Sequence, residues 1–275
     1  MVAFSLLVAT LDRIEEPRRL LASLTAQSCH DFEILIADQN PPGFLDGLYA
    51  EFQDRLQLRV ISVPNKGLSL ARNALLPHAR GTFIAFPDDD CWYRSDTLEQ
   101  AATFFTMNPQ VHGLLGQWHD PDSSFRLQPL RPGHAITRFW AIKRGLSITQ
   151  FYRKEVVDAV GDFDPEFGVP HSASEDTDYL LRALARGFIV VSAPSVQIYH
   201  PDAYQKPSHS LEKVRSYSAS SMHLFHKHNL PLWFKLAVVA YPLLHVPFEG
   251  RKAWPYRKAV FLGRLSGLFV GKKRD

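Results

Sequence analysis

Apolar runs rich in strand-forming residues alternate with helical patterns through the first third of the chain, and most of these runs end at a polar or acidic side chain. Residues 3–10 are predicted as a strand ending at Thr10, after which Asp12 and Pro17 open a helix with Leu20, Leu21 and Leu24 on one face. Residues 32–37 form a second strand, closed by Asp38. A third covers 56–63 and is followed by Gly67 and a helix through Leu68, Ala71 and Leu75; the fourth covers 82–86. Strands apolar on both faces and joined by crossover helices predict an α/β protein with a mostly parallel, doubly wound, Rossmann-like sheet flanked by helices.

Ligands in such sheets bind beyond the carboxyl ends of the strands. That rule draws Thr10, Asp38 and the triplet Asp88, Asp89 and Asp90 to one edge, although they are far apart in sequence. A strand end needs no triple acid for solubility, whereas Mg²⁺ or Mn²⁺ takes oxygen ligands and bridges carboxylates to substrate phosphates. A solvated acidic turn is the plain alternative for the triplet taken alone. The sequence has no GxGxxG after the first strand and no GxxxxGK[ST], which excludes a dinucleotide fingerprint and a P-loop. A nucleotide would then be held by metal and side chains.

The 275 residues, 45% hydrophobic and 21% charged, suffice for one large α/β domain with an appended element. A formal charge of +3 without a basic arm argues against a nucleic-acid partner. Cys29 and Cys91 are too few for a disulfide framework and lack zinc spacing, so a reducing, cytoplasmic setting is expected. The first ten residues lack a basic leader and a cleavage site and are expected to form a buried strand, not a signal peptide.

A second acidic cluster, Ser174-Glu175-Asp176-Thr177-Asp178, opens a helix that closes at Gly187. Ser172-Ala173-Ser174-Glu175 matches a capping box, and acids in a first helical turn meet the macrodipole favourably. The competing reading makes a carboxylate at this helix terminus a general base facing the same cleft.

Together these segments resemble the family 2 glycosyltransferases of the A-type nucleotide-sugar fold (GT-A). The likeness runs over roughly residues 3 to 200. It rests on Val8-Ala9-Thr10 with Asp12-Arg13; on Ile36-Ala37-Asp38; on Asn65-Lys66-Gly67 leading to Ala71-Arg72-Asn73; on residues 86–90; and on Gly161-Asp162-Phe163-Asp164 followed by Glu175-Asp176-Thr177-Asp178. The resemblance implies a metal-dependent, inverting transferase that moves a sugar from a nucleotide-diphospho sugar, UDP-linked by expectation, to a glycan or lipid-linked acceptor. Thr10 and Asp38 would hold the nucleobase and ribose, and Arg72 would reach the nucleotide. Asp88 to Asp90 would be the DXD element. Within it, Asp88 and Asp90 would bind Mg²⁺ or Mn²⁺ and Asp89 is a further donor-binding candidate. His200 would contact metal or diphosphate, and Asp176 would deprotonate the acceptor hydroxyl. Two departures stand out. The second strand ends Asp38-Gln39-Asn40 where many relatives carry two acids, and the triple acid leaves the DXD register open by one residue.

Two other classes compete. A sugar-phosphate nucleotidyltransferase would want a glycine-rich triphosphate loop soon after the first strand, which Leu11-Asp12-Arg13-Ile14-Glu15 is not. A noncatalytic sugar-nucleotide binding subunit would not need both acidic clusters.

Residues 113–150, with Trp118, His119 and Trp140, are expected to cover the acceptor side, with core packing as the alternative use of the tryptophans. His119-Asp120-Pro121-Asp122 reads as a loop. The division expected is a catalytic domain over 1–207 and a helical extension over 208–275. Within the extension, the apolar run 236–248 is too short to span a bilayer and is interrupted by Pro242 and Pro247. Arg251, Lys252, Arg257, Lys258, Arg264 and Lys272-Lys273-Arg274 follow, which suggests peripheral contact with the inner face of the cell membrane, a soluble helical cap being the alternative. His223, His226 and His228 do not share a helix face and are not expected to bind metal.

Overall fold

Every side chain of β1 (Phe4–Thr10) is buried, as are the first six of β2 (Phe32–Asp38). Strands that are apolar on both faces settle in the middle of a sheet covered on both sides. β3 (Leu58–Ser62) is half-exposed and shorter than its apolar run, because it lies at the sheet edge. The computed structural model describes residues 2–122, 128–167, 173–201, 210–249 and 253–270. α1 (Glu15–Thr25) buries Pro17, Leu20, Leu21 and Leu24, α2 (Asp46–Phe52) packs beside it, and α3 (Leu68–Leu75) buries Ala71, Arg72 and Leu75.

After β4 (Phe83–Ala85) come β5 (Trp92–Tyr93), α4 (Thr97–Met107), β6 (Gly113–His119), α5 (Arg138–Arg144), β7 (Gln150–Arg153), α6 (Lys154–Val160), α7 (Glu175–Ala185) and β8 (Val190–Tyr199). The sheet order is β3-β2-β1-β4-β7-β6-β8-β5. The first four strands are parallel, as expected of a doubly wound half. β7 enters antiparallel between β4 and β6, β8 is parallel to β6, and β5 is antiparallel to β8, so the second half is mixed.

Successive residues of a strand point to opposite faces. Leu7 and Leu35 accordingly join Phe86, Tyr152 and Tyr179 in one core, while Leu6 and Ile34 join Leu21, Leu98 and Phe105 in the other. Three further helices, α8 (Leu211–Lys227), α9 (Leu232–Glu249) and α10 (Trp254–Val270), complete the chain. Met222, Phe225 and Val239 belong to the first core. Gly263 and Gly267 let α10 lie against the Arg215 and Ala219 carbonyls of α8, where a Cβ would collide. α9 runs through Pro242 and Pro247, although an interior proline removes a backbone bond and crowds the carbonyl four residues before it. The boundary expected at 207/208, together with Arg251, Lys252 and residues 272–274, lies outside the described residues. No helix among them is long and apolar enough to cross a membrane.

Candidate active site

The strand ends meet in register. Thr10 pairs with Asp38, Asp38 with Ser62, and Ala9 bridges to Asp88, so residues from four separate segments share one sheet edge. The Asp38 carboxylate accepts hydrogen bonds from the Asn40 backbone (2.9 Å), the Asn40 amide (2.8 Å) and the Tyr49 hydroxyl (3.0 Å). Burial and Asp38 together push the Tyr49 phenol far above its ordinary range, which keeps it a donor. The Asn40 side chain in turn accepts the Asp12 N–H at 2.6 Å, and Gln39 accepts the Gly67 N–H at 2.7 Å. Gln39 and Asn40 therefore tie the first two loops to α3.

The triplet lies in a turn, in which the Cys91 N–H bonds the Asp88 carbonyl at 3.2 Å with Asp89 and Asp90 between them. Ligand atoms of Asp88, Asp90 and His200 all lie within 4.8 Å of one another. Asp89 is buried on the other side and pairs with Arg13 at 2.7 Å, and Arg13 also reaches Asp90 at 2.9 Å. Burial pushes the Asp89 carboxyl up to about 6, against the pull of Arg13. Burial also acts on Asp90, but the hydrogen bond and charge of His200, 3.1 Å away, and of Arg13 outweigh it and hold Asp90 at about 2. His200 is desolvated yet still raised, because Asp90 stabilises its imidazolium. Two carboxylates and an imidazole, close together and partly open to solvent, make a donor set that fits Mn²⁺ or Mg²⁺.

Arg72 lies wholly inside, 2.7 Å from Asp88 and 3.3 Å from Glu175, while its Nε has no hydrogen-bond partner among the described residues. It meets the acidic groups of both halves. The capping box is not formed. α7 begins at Glu175, its preceding residue Ser174 sits at φ 86° with no side-chain cap bond, and Ser172 lies outside the described residues. A long-range charge won over a local cap: Glu175 turns inward to Arg72. Burial, then the neighbouring Asp176, raises its proton affinity, and Arg72 opposes them.

Asp176 accepts the Ser147 N–H at 3.1 Å and the Thr177 N–H at 2.6 Å. Burial raises its pKa, with Arg72 and the Thr177 N–H pulling the other way. Ser147 also donates through its hydroxyl to Asp88 at 3.3 Å, so one residue touches both acidic groups. Sequence reasoning missed Ser147, Arg13 as partner of the triplet, and Glu175 as partner of Arg72. Only Arg13 carried a signal, through the Asp12-Arg13 pair. The loop expectation at Asp120 holds, since Asp120 accepts the Asp122 N–H at 2.9 Å. His223, His226 and His228 point to different partners, Glu166, the Leu268 carbonyl and Asp178.

The Ala-Arg-Asn turn gains a physical reason from its third residue. The Asn73 amide donates to the Phe163 carbonyl (2.8 Å) and accepts the Phe163 N–H (2.7 Å), while Phe163 stacks on Tyr179 of α7 at 4.3 Å. Asn73→Ala should destabilise the fold by about 1–3 kcal/mol, since it leaves backbone groups of Phe163 unpaired. Urea unfolding checks this; a loss within error of zero would mean that water replaces the amide.

The sequence pattern described as glycosyl transferase family 2 matches residues 5–163, and the chain belongs to that family. The putative glycosyltransferase EpsH of Bacillus subtilis is 31% identical over 173 residues, covering 57% of this chain and 48% of EpsH, so the chain spans about half the length of that relative. Among solved structures, residues 1–349 of TarS from Staphylococcus aureus in complex with UDP-GlcNAc superpose with a TM-score of 0.66 at 18% identity, covering 96% of this chain and 92% of that one. TarS is a poly(ribitol-phosphate) β-N-acetylglucosaminyltransferase. The mannosyltransferase PcManGT of Pyrobaculum calidifontis, with GDP-Man and Mn²⁺, gives a TM-score of 0.63 at 16% identity, covering 99% and 75%. The fold is that of the GT-A transferases, in keeping with the family match.

Proposed function

We propose that the protein moves a sugar from a nucleotide-diphospho sugar to an acceptor hydroxyl in glycan or polysaccharide synthesis, with Mg²⁺ or Mn²⁺ and with inversion at the anomeric carbon. The observation that carries this is the convergence of Asp88, Asp90 and His200 at the sheet edge, joined through Arg72 and Ser147 to the acidic start of α7. Thr10 and Asp38 bind the nucleoside. Asp88, Asp90 and His200 would hold a divalent cation, which would supply Lewis-acid neutralisation of diphosphate charge. Asp89, paired to Arg13, fixes the loop that presents its two neighbours. Asp176 takes the acceptor proton while the acceptor oxygen bonds to the anomeric carbon and the bond to the diphosphate breaks. With base and leaving group on opposite faces of the sugar, configuration inverts.

A UDP-linked donor is favoured by the TarS likeness, and the GDP-Man of the mannosyltransferase makes GDP its comparison in any assay. The setting proposed is the cytoplasm, which free Cys29 and Cys91 suit. The proposed division is a catalytic part over 1–207 and a helical part over 208–275.

A thermal-shift series with UDP and GDP, with and without Mn²⁺, tests the reading. Ligand at a hundred times Kd stabilises the native state by about 2.7 kcal/mol. Asp88→Ala with Asp90→Ala should lose the Mn²⁺-dependent part of that shift. An undiminished shift would remove these residues from metal binding. In transfer assays the expected products are nucleoside diphosphate and glycosylated acceptor in equal amounts. Pyrophosphate release would instead identify a nucleotidyltransferase, and donor binding without turnover a binding subunit.

A further inference from the structure

Between Leu232 and Leu244, α9 carries one charged side chain, Lys235, and it points inward. Lys235 is 9% exposed, and its Nζ lies 3.0 Å from His226 Nδ1 of α8. The outward positions are Leu232, Trp233, Leu236, Tyr241, Leu243 and Leu244, with Ala237 and Ala240 between them. Leu232, Trp233 and Leu244 are 63%, 70% and 67% exposed. A helix on a water-facing surface turns its polar residues outward. This one is apolar outward as well as inward, where Phe234, Val238 and Val239 pack on the first core, and an apolar outer surface about 20 Å long marks a contact site.

The surroundings select the partner. Residues 208–275 hold 12 Lys and Arg against 3 Asp and Glu, whereas residues 1–207 hold 19 against 25. Positive charge is therefore concentrated in the segment that bears the apolar face. At the start of α10, exposed Trp254 and Tyr256 precede half-buried Arg257 and exposed Lys258. Indole and phenol rings suit the boundary between headgroups and acyl chains, and basic side chains are drawn to anionic headgroups. A second copy would set this positive segment against itself, which like-charge repulsion opposes.

We propose that the outward face of α9, with the start of α10, docks on an anionic lipid bilayer and lies in its interfacial plane. The stretch is shorter than the roughly 30 Å hydrocarbon core, so it rests on the membrane without crossing it. The face is connected through α8 to α7, the helix that carries Asp176 in its first turn. Lys235 joins α9 to α8, Ser220 of α8 bonds the backbone of Ala173 just before α7, and Lys227 and His228 grip Asp178 within α7. On the glycosyltransferase reading above, the acceptor that reaches Asp176 is then one carried at the bilayer surface.

Co-sedimentation of the full chain with vesicles tests the docking without donor or acceptor. Phosphatidylcholine vesicles are compared with vesicles that also contain phosphatidylglycerol. Partitioning should be at least about tenfold stronger on the anionic vesicles and should weaken with salt. Trp233→Glu with Leu244→Glu should lose about tenfold or more, and Lys258→Ala about fivefold. These side chains face solvent, so unchanged circular dichroism and Tm are expected and keep loss of binding separate from loss of fold. Equal partitioning on both vesicle types, or an unchanged double variant, would overturn the proposal. So would a stable dimer in sedimentation velocity that the double variant dissolves, because the face would then belong to a second copy. A protein that docks but transfers no sugar would overturn the enzymatic reading alone.

Discussion

Asp176→Asn should keep the fold and nucleotide binding and lose about 10² to 10⁴ in turnover, the usual size of general-base assistance. The substitution preserves shape. The Ser147 and Thr177 N–H groups bond different oxygens of the carboxylate, so the single amide oxygen can accept one of them while the amide NH2 faces the other. The ability to take a proton disappears together with one of these two bonds. Burial raises the proton affinity of this group, and Arg72 restrains the rise, which leaves a base stronger than an ordinary carboxylate. Activity that requires the ionised form should fall as pH drops through the raised value. The acid limb of the wild-type rate profile is therefore expected above the ordinary carboxylate range, and the variant should lack that limb. Single-turnover transfer, with donor affinity measured in parallel, checks both. Near-normal turnover in the variant would reduce Asp176 to a structural residue.

The parts of this site that sequence made legible are those fixed by local pattern. All-apolar runs announce central strands, so the ends of β1 and β2 at Thr10 and Asp38 followed from counting. The triplet after β4 was visible, but its register was not, since three identical residues carry no phase. The turn that the Cys91 N–H closes on the Asp88 carbonyl supplies it, bringing Asp88 and Asp90 together with His200 and Asp89 to Arg13. Where partners are distant in sequence, local motifs misled. Ser172 to Glu175 looks like a cap, yet Glu175 is claimed by Arg72, 103 residues away. Ser147 carries no signature at all. Its role exists only because the turn before β7 passes between Asp88 and Asp176. α9 continues through two prolines, each unfavourable in a helix interior by about 3 kcal/mol, so residue preference alone does not give the extent of this helix.

The same distance problem hides the second large effect, at Asp178. In sequence it belongs with Asp176, but positions two apart point about 200° away from each other on a helix, and the two acids do different work. Asp178 is wholly buried and meets Arg182 Nε at 2.8 Å, Lys227 Nζ at 2.7 Å and His228 Nε2 at 2.8 Å. Lys227 also pairs with Asp164 at 2.7 Å, so this one carboxylate ties α8 to α7 and to the loop before it. Burial alone would raise its pKa, but His228, Lys227 and Arg182 together hold it at about 2. Asp178→Asn should destabilise the protein by about 3–5 kcal/mol at pH 7, because it leaves basic groups clustered without their anion. The pH dependence gives the charge share of that loss. A carboxylate near 2 when folded and near 3.9 when unfolded contributes about 2.6 kcal/mol, present in full above about pH 5 and lost as pH falls toward 2. Protonated Asp and Asn are nearly alike, so the gap between wild type and variant in urea unfolding should narrow as pH is lowered below 4. A gap of the same size at pH 7 and pH 3 would mean that packing, and not charge, holds α8 against α7.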